Sequence, residues 1–508
     1  MKNKLSQIKL VLVILLVSLL AVAIVMPRLF VYLLVISETI GVLISLELLL
    51  FDKRGTTSKI AWILTIHLIP YGGIALFLFL GRNPARRRLG VNQLQEQTKI
   101  KAVVNELMVA SDAWQTEVPA FAHYNQVLSG QGVISGNQIN VLTNGQATYD
   151  SILSAINRAE HHVHMFFFIF KEEEIGRKII DLLIRKATEG VEVRFAADSL
   201  GTLKFSFETV KRMEAAGIEV LAYDPVNTIF TASHLNWRNH RKTVVIDGKI
   251  GFTGGINVGD EYLSISDRFD FWRDTHLKIE GPLVNYLQES FLYDWMYMKN
   301  QAEASAPFIS EGGRHVYFAA EAVGDAAGQI IYGGPYDRER VVRESFLNFI
   351  SGAKESVRIA MPYFVPDEES LAVLRRMALN GIKVQVLMPG KGDRGISFNG
   401  SNHFIKTMVE AGAEVYHYQE DAFLHCKIMI VDDCYATIGT TNFDVRSFRL
   451  NHELSVFLTK ADQAVAHLVN DFEADLVVSK PVTLASLAER PLITKIREQL
   501  SSLFAPIL

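Results

Sequence analysis

His240-Arg241-Lys242-Thr243-Val244-Val245-Ile246-Asp247 and His425-Cys426-Lys427-Ile428-Met429-Ile430-Val431-Asp432 decide how the rest of the chain is read. Both have the form H-x-K-x4-D, the second 185 residues after the first. Both continue to a glycine and an asparagine at equal distances, Gly254 and Asn257 in one copy, Gly439 and Asn442 in the other. The apolar runs 243–246 and 428–431 predict buried strands. Alternation along a strand places each histidine and lysine on one face. The glycine-bearing turn that follows lets backbone approach an anion closely. A single H-x-K-x4-D arises by chance; two copies with matched glycines and asparagines are not a packing requirement.

Outward from this pair, the sequence repeats itself. Ala159-Glu160-His161-His162-Val163 leads into the apolar run 165–170, and Ala353-Lys354-Glu355-Ser356-Val357 into 359–364. Glu189-Gly190-Val191-Glu192-Val193 matches Asn380-Gly381-Ile382-Lys383-Val384, and Ala216-Gly217-Ile218-Glu219-Val220 matches Ala411-Gly412-Ala413-Glu414-Val415. Helices alternating with short β-branched strands predict an α/β fold with a helix-covered sheet. Two tandem copies, 136–305 and 306–486, predict a pseudo-dimer with one shared active site. The charged, helix-patterned stretch 82–135 reads as a linker. The tail 487–508 spaces Leu492, Ile493, Ile496, Leu500, Leu503 and Phe504 as an amphipathic helix, which packing on the second repeat or a membrane surface would explain. His161, His162 and His164 lie beside no carboxylate or cysteine in a ligand pattern and read as core or interface histidines.

Of the 508 residues 49% are hydrophobic and 21% charged, which excludes global disorder. The excess apolar residues concentrate at the N-terminus, in runs at about 10–26, 29–51 and 60–80. The second and third are long enough to span a bilayer; the first reads as an uncleaved anchor, because Ile24 to Arg28 offers no small-residue cleavage site. With only the second and third spanning, eight basic residues lie outside the 53–59 loop against three within it, which predicts a cytoplasmic body. Glu38 lies mid-span, either functional or partnered by His67 or Ser37. A net charge of −4 argues against a nucleic-acid partner, and two cysteines, Cys426 and Cys434, exclude a disulfide scaffold.

Paired histidines and lysines fit phosphoryl chemistry. A neutral imidazole attacks phosphorus to form a phospho-histidine. A second, protonated imidazole donates to the leaving oxygen and then serves as base for the incoming alcohol. Lys242 and Lys427, with the amides of Asn257 and Asn442 and the turns at Gly254 and Gly439, would hold the non-bridging oxygens. The lysines supply the positive charge, so no metal or other cofactor is expected. Asp247 and Asp432 complete the motifs at the far strand ends and are expected to hold motif geometry rather than react. Asp274 and Glu453, 17 and 11 residues beyond the asparagines, are expected to orient a histidine.

The paired motif resembles the phospholipase D superfamily. The segments Asn236-Trp237-Arg238-Asn239-His240, Thr253-Gly254-Gly255-Ile256-Asn257, Phe271-Trp272-Arg273-Asp274-Thr275-His276, Pro362-Tyr363-Phe364-Val365-Pro366 and Asn442-Phe443-Asp444-Val445-Arg446-Ser447-Phe448 resemble its bacterial cardiolipin synthase branch. The resemblance covers nearly the whole chain beyond the first ~30 residues, where members of the family vary. Cys426, where a small residue is common, and Gly439-Thr440-Thr441 depart mildly from the pattern. It implies two tandem phospholipase D-like repeats and the joining of two phosphatidylglycerol molecules into cardiolipin and glycerol at a cell membrane. It further implies His240 as nucleophile and His425 as acid and base, roles that the symmetry of the motifs leaves exchangeable. A phospholipase D hydrolase would use the same residues with water as acceptor. A nuclease or a non-catalytic membrane scaffold fits less well. The sequence leaves the oligomeric state open.

Overall fold

Both H-x-K-x4-D motifs run into short, fully buried strands, Lys242–Ile246 and Ile428–Val431, at matching places in one continuous sheet. The computed structural model describes residues 26–52, 56–81, 91–110, 113–115, 117–202, 205–225, 236–299, 317–335, 337, 339–393, 395–503 and 505. The chain divides into two compact units, residues 1–86 with 226–236, and residues 87–225 with 237–508.

In the larger unit, one half of the sheet runs inward from its edge as Glu219–Tyr223, Glu192–Asp198, His162–Phe167, Lys242–Ile246, Ile250–Gly254, Thr275–Glu280 and Ile134–Thr143. The other half runs inward as Glu414–His417, Lys383–Met388, Ser356–Ala360, Ile428–Val431, Tyr435–Gly439, Asn451–Lys460 and Ala326–Gly333, with Lys480–Val482 outside its edge. In each half the outer three strands are parallel and the motif strand joins them antiparallel. Ile134–Thr143 and Ala326–Gly333 pair antiparallel and make the sheet continuous. Helices Glu174–Thr188 and Glu368–Leu379 make the matching crossovers between parallel strands.

One face of the sheet carries a single core crossing both halves, where helix Val284–Lys299 inserts Leu287, Phe291 and Trp295 and helix Asp462–Val477 inserts Leu468 and Phe472. The opposite face carries a separate core in each half. Each such side chain, fully buried, contributes roughly 1.5–3 kcal/mol. Within the stretch expected to link, helix Val91–Ala110 buries Ile100, Val104 and Met108 in the shared core, and helix Ala120–Ser129 packs on Val341–Ser351. His162 and His164 are also core residues; His164 bonds Gln288, while both ring nitrogens of His162 lack a hydrogen-bond partner.

In the N-terminal unit, helix Pro27–Phe51 is long and apolar enough to cross a membrane. The run 60–80 is not one helix. Helix Thr56–Leu68 ends before Pro70 and Tyr71, the latter at φ 61°, and a short helix Gly72–Leu76 and a π-turn Phe77–Gly81 follow. Glu38 has the partner the sequence offered: its Oε2 lies 2.7 Å from His67 Nδ1, while His67 Nε2 lies 3.1 Å from Ser45 Oγ. The run 10–26 falls, but for its last residue, outside the described residues.

Candidate active site

Two very short strands position the histidines. Arg238–Asn239 pairs in parallel with the start of Asn451–Lys460, and the His240 N–H that follows donates to His452 O at 2.9 Å. Ala422–Leu424 pairs in parallel with Phe271–Arg273, and the His425 N–H donates to Arg273 O at 2.7 Å. Each histidine is thus stitched to a segment of the other half. The next residue of that segment is a carboxylate in both cases: His240 Nδ1 lies 3.1 Å from Glu453 Oε2, and His425 Nδ1 lies 2.6 Å from Asp274 Oδ2. Asp274 and Glu453 do contact histidines, and each serves the histidine of the opposite half. Both carboxylates are fully buried and held in turn, Glu453 by the Thr440 hydroxyl and by Asn451 Nδ2 at 3.1 Å, Asp274 by the Thr275 N–H at 2.8 Å.

With Nδ1 facing a carboxylate, Nε2 is the nitrogen each ring has for the reaction. Burial, aided by Lys242 and Lys427 and opposed by Glu453, depresses the pKa of His240 to about 4. His425 is likewise brought to about 4 by burial, Lys427 and Lys242, against Asp274. Each imidazole therefore feels the lysine of the other motif as well as its own. Lys242 is brought down to about 7 by burial and by Lys427, and burial also lowers Lys427. The ammonium groups hold their place by donating to the backbone, Lys242 Nζ to His240 O at 2.6 Å and Lys427 Nζ to His425 O. Lys427 Nζ also lies 2.9 Å from His425 Nδ1 and 3.3 Å from its Nε2, and Lys242 Nζ stands 5.5 Å from the Phe168 ring centre. The result is a buried, electropositive site with neutral imidazoles, suited to an anion and to nucleophilic attack.

Asp247 and Asp432 are not brought to the histidines. Each turns at positive φ, 53° and 52°, and caps the backbone entering the neighbouring strand. Asp247 accepts from the N–H groups of Glu160, His161 and His162, and Asp432 from those of Lys354, Glu355 and Ser356. Burial would raise the Asp432 carboxyl, but the three N–H groups outweigh it and hold its pKa below the ordinary value. Its stabilisation is therefore complete above about pH 4 and lost as pH falls through the lower folded value. Asp432→Asn, which tolerates positive φ, is expected to cost about 1 kcal/mol at neutral pH, given partial solvent screening. Urea midpoints measured against pH should converge with wild type in acid, while turnover of the folded variant stays near wild type.

The asparagines differ. Asn257 is occupied by the protein: Nδ2 donates to Tyr262 OH at 2.7 Å and Oδ1 accepts from Ile169 N. Asn442 Oδ1 is buried without a hydrogen-bond partner. The glycines meet the adjacent strand: a Cβ on Gly254 would lie 2.6 Å from His276 Cα, and one on Gly439 2.3 Å from Leu454 O. Gly255, not singled out in the sequence, lies against Asp274, whose Oδ1 would be 2.1 Å from a Cβ there. Phe168 beside His240, and Tyr262 and Phe423 around His425, escaped the sequence reading, and Trp272, which also packs on His425, was quoted there without a site role. Trp272 adjoins Arg273-Asp274 in sequence, and that adjacency was the available signal. On the strand face opposite His240 and Glu453, Arg241 and His452 line a cavity of about 610 Å³ together with Tyr223, Tyr293 and Tyr332.

A family model described as cardiolipin synthase, PLD-like domain, matches residues 152–295 and 346–476. Cardiolipin synthase 1 of Bacillus anthracis is 38% identical over 465 residues, 90% of each chain. Cardiolipin synthase of Geobacillus thermodenitrificans is 37% identical over 463 residues, again 90% of each chain. Among solved structures, phosphatidylserine synthase of Haemophilus influenzae aligns over 76% of this chain and 100% of its own, with TM-score 0.58 and 15% identity, a likeness of fold.

Proposed function

We propose a two-step phosphatidyl transfer for this chain, which belongs to the cardiolipin synthase family of PLD-like proteins and is a phosphatidyltransferase. In this reading His240 Nε2 attacks the phosphorus of one phosphatidylglycerol, and the P–O bond to glycerol breaks as His425 gives that oxygen its proton. A second phosphatidylglycerol then yields its hydroxyl proton to His425 and attacks phosphorus; the P–N bond breaks, leaving cardiolipin and a neutral His240. The observation that carries the reading is the crossed pair of histidine–carboxylate contacts, His240 with Glu453 and His425 with Asp274. Lys242 and Lys427, with the Nδ2 group of Asn442, are assigned to the phosphodiester oxygens; Asn257, held by Tyr262 and Ile169, has only its second Nδ2 hydrogen to add. The incoming anion would restore full charge to both lysines and favour a protonated His425, so binding is expected to take up protons.

The same reading takes 136–305 and 306–486 as tandem phospholipase D-like repeats with one shared site. Equal strand order in the two halves supports it. Residues 1–81 are assigned as a multi-pass anchor in the cell membrane, with the body cytoplasmic and anionic phospholipids as partners. The apolar helix Pro27–Phe51 supports a membrane anchor within this segment.

The decisive experiment supplies purified full-length protein with phosphatidylglycerol vesicles and identifies the products. Cardiolipin and glycerol are expected; phosphatidic acid and glycerol would make the chain a hydrolase. Exhaustive chelation of divalent ions in detergent micelles should leave turnover nearly unchanged, because the lysines carry the electrostatic role. Loss restored only by a divalent ion, at every lipid charge density, would overturn that part.

A further inference from the structure

The C-terminal helix Leu492–Ser502 is docked with its polar side inward. Leu492, Ile493, Ile496, Leu500 and, one residue beyond, Leu503 fall within an arc of about 100° on a helical wheel. They are 73%, 55%, 44%, 55% and 70% exposed. The buried positions lie on the opposite side, Glu498 and Ser501, and it is this side that packs on helix Gly395–Glu410. An ion pair fixes the rotation: Arg490 Nη1 reaches Glu498 Oε1 at 2.7 Å, and Arg490 Nη2 reaches Asn402 Oδ1 of the supporting helix at 3.4 Å. A surface helix in water buries its apolar stripe, so this orientation requires something to cover the outward face.

We propose that this ridge is a second membrane contact of the enzyme, lying in the headgroup–acyl boundary of an anionic lipid surface. Two features select lipid as the occupant. Exposed cations border the stripe, Lys495 on one side and Arg497 on the other, as in helices that lie in an anionic interface. The stripe is a narrow convex ridge on a single helix, which inserts among acyl chains without needing a shaped partner. The choice of lipid over a protein partner also rests on the phosphatidyl-transfer reading, which makes anionic lipid the substrate. The contact would add a hold on the bilayer from the body itself, separate from the N-terminal helix.

The test uses the full chain with Cys434→Ser, since Cys426 is buried, and one labelling site at a time: Ile493→Cys, Ile496→Cys or Leu500→Cys, with Glu214→Cys as an exposed control. An environment-sensitive fluorophore is attached and the protein reconstituted in phosphatidylglycerol vesicles with brominated acyl chains. The three helix positions should blue-shift and be quenched by brominated lipid severalfold more than the control. Uncharged phosphatidylcholine vesicles should weaken that quenching. A helix label that stays open to aqueous iodide, like the control, would overturn the proposal. Labels shielded from iodide and from brominated lipid, with energy transfer rising with protein density, would assign the ridge to a second copy and overturn it equally. Ile493→Glu/Ile496→Glu changes only exposed positions; it should lower turnover on vesicles severalfold and spare turnover on short-chain phosphatidylglycerol in micelles. An equal loss on both substrates would overturn the proposal. The quenching readout needs no turnover, so a failure of the transfer reading would be told apart from a failure of the surface.

Discussion

Either His240→Ala or His425→Ala is expected to reduce cardiolipin formation by roughly 100- to 10,000-fold or more, and the two variants should fail at different steps. Loss of the nucleophile leaves no two-step path, so His240→Ala should be the more severe. With His425 removed, a donor whose leaving group needs no proton can still phosphatidylate His240. The adduct should then accumulate, because the incoming alcohol has lost its base. With His240 removed, no donor should yield an adduct. Mass spectrometry of acid-labile lipid on His240 would establish the assignment; the same adduct on His425 would exchange the two roles and keep the mechanism. If neither histidine is ever modified and configuration at phosphorus inverts over the whole reaction, a single direct displacement replaces the two-step scheme. The neutrality of both imidazoles in the free site, each brought to about 4 chiefly by burial, makes either a competent nucleophile. Trapping must therefore decide between them.

The motif strands were readable because each is a short apolar run with a charged residue on either side of it, and both became fully buried strands. The repeated helix–glycine–strand segments likewise foretold matching crossovers, and Glu38 was given its partner His67. What the sequence did not disclose is how the two copies meet. The stitches Arg238–Asn239 and Ala422–Leu424 are two and three residues long, too short to show any period, and their partners lie more than a hundred residues away. Asp274 and Glu453 could be nominated from their position after the asparagines, but not the half each would serve. The unequal gaps obscured even their equivalence. Charge led the helix Val91–Ala110 to be read as linker, although Ile100, Val104 and Met108 at four-residue spacing already marked one buried stripe. The same limit applied to Leu492–Ser502: the stripe was visible, but the face that docks was set by the Arg490–Glu498 pair.

Removing one carboxylate charge at a time is expected to separate the two half-reactions. Glu453→Gln and Asp274→Asn keep the shape of each side chain but lose the charge and place an amide N–H donor where it can face Nδ1 and impose the wrong histidine tautomer, and each should lower turnover by roughly 100- to 10,000-fold, as in sites where a carboxylate orients a catalytic imidazole. Protonation alone would not produce this loss in Glu453→Gln. Attack needs neutral His240, which is lost as pH falls through its pKa; Glu453 raises that pKa, so its removal moves the acid limb to lower pH and leaves His240 neutral at pH 7. Donation needs protonated His425, which is lost as pH rises; Asp274 raises that pKa, so Asp274→Asn moves the alkaline limb to lower pH. A purely structural role for either carboxylate would lower the whole profile without moving a limb. Both carboxylates also face buried lysines, so folding of each variant must be verified by thermal melting before the kinetics are read. The sharper experiment starts from His425→Ala with a donor that needs no acid and measures the rate of adduct formation on His240. Adding Asp274→Asn should change that rate little, through its effect on the lysine charges alone, because the histidine it orients is already gone. Adding Glu453→Gln should slow it, because Glu453 holds the ring that attacks. The opposite pattern, with Asp274 controlling phosphatidylation of His240, would mean that the crossed contacts do not govern the chemistry.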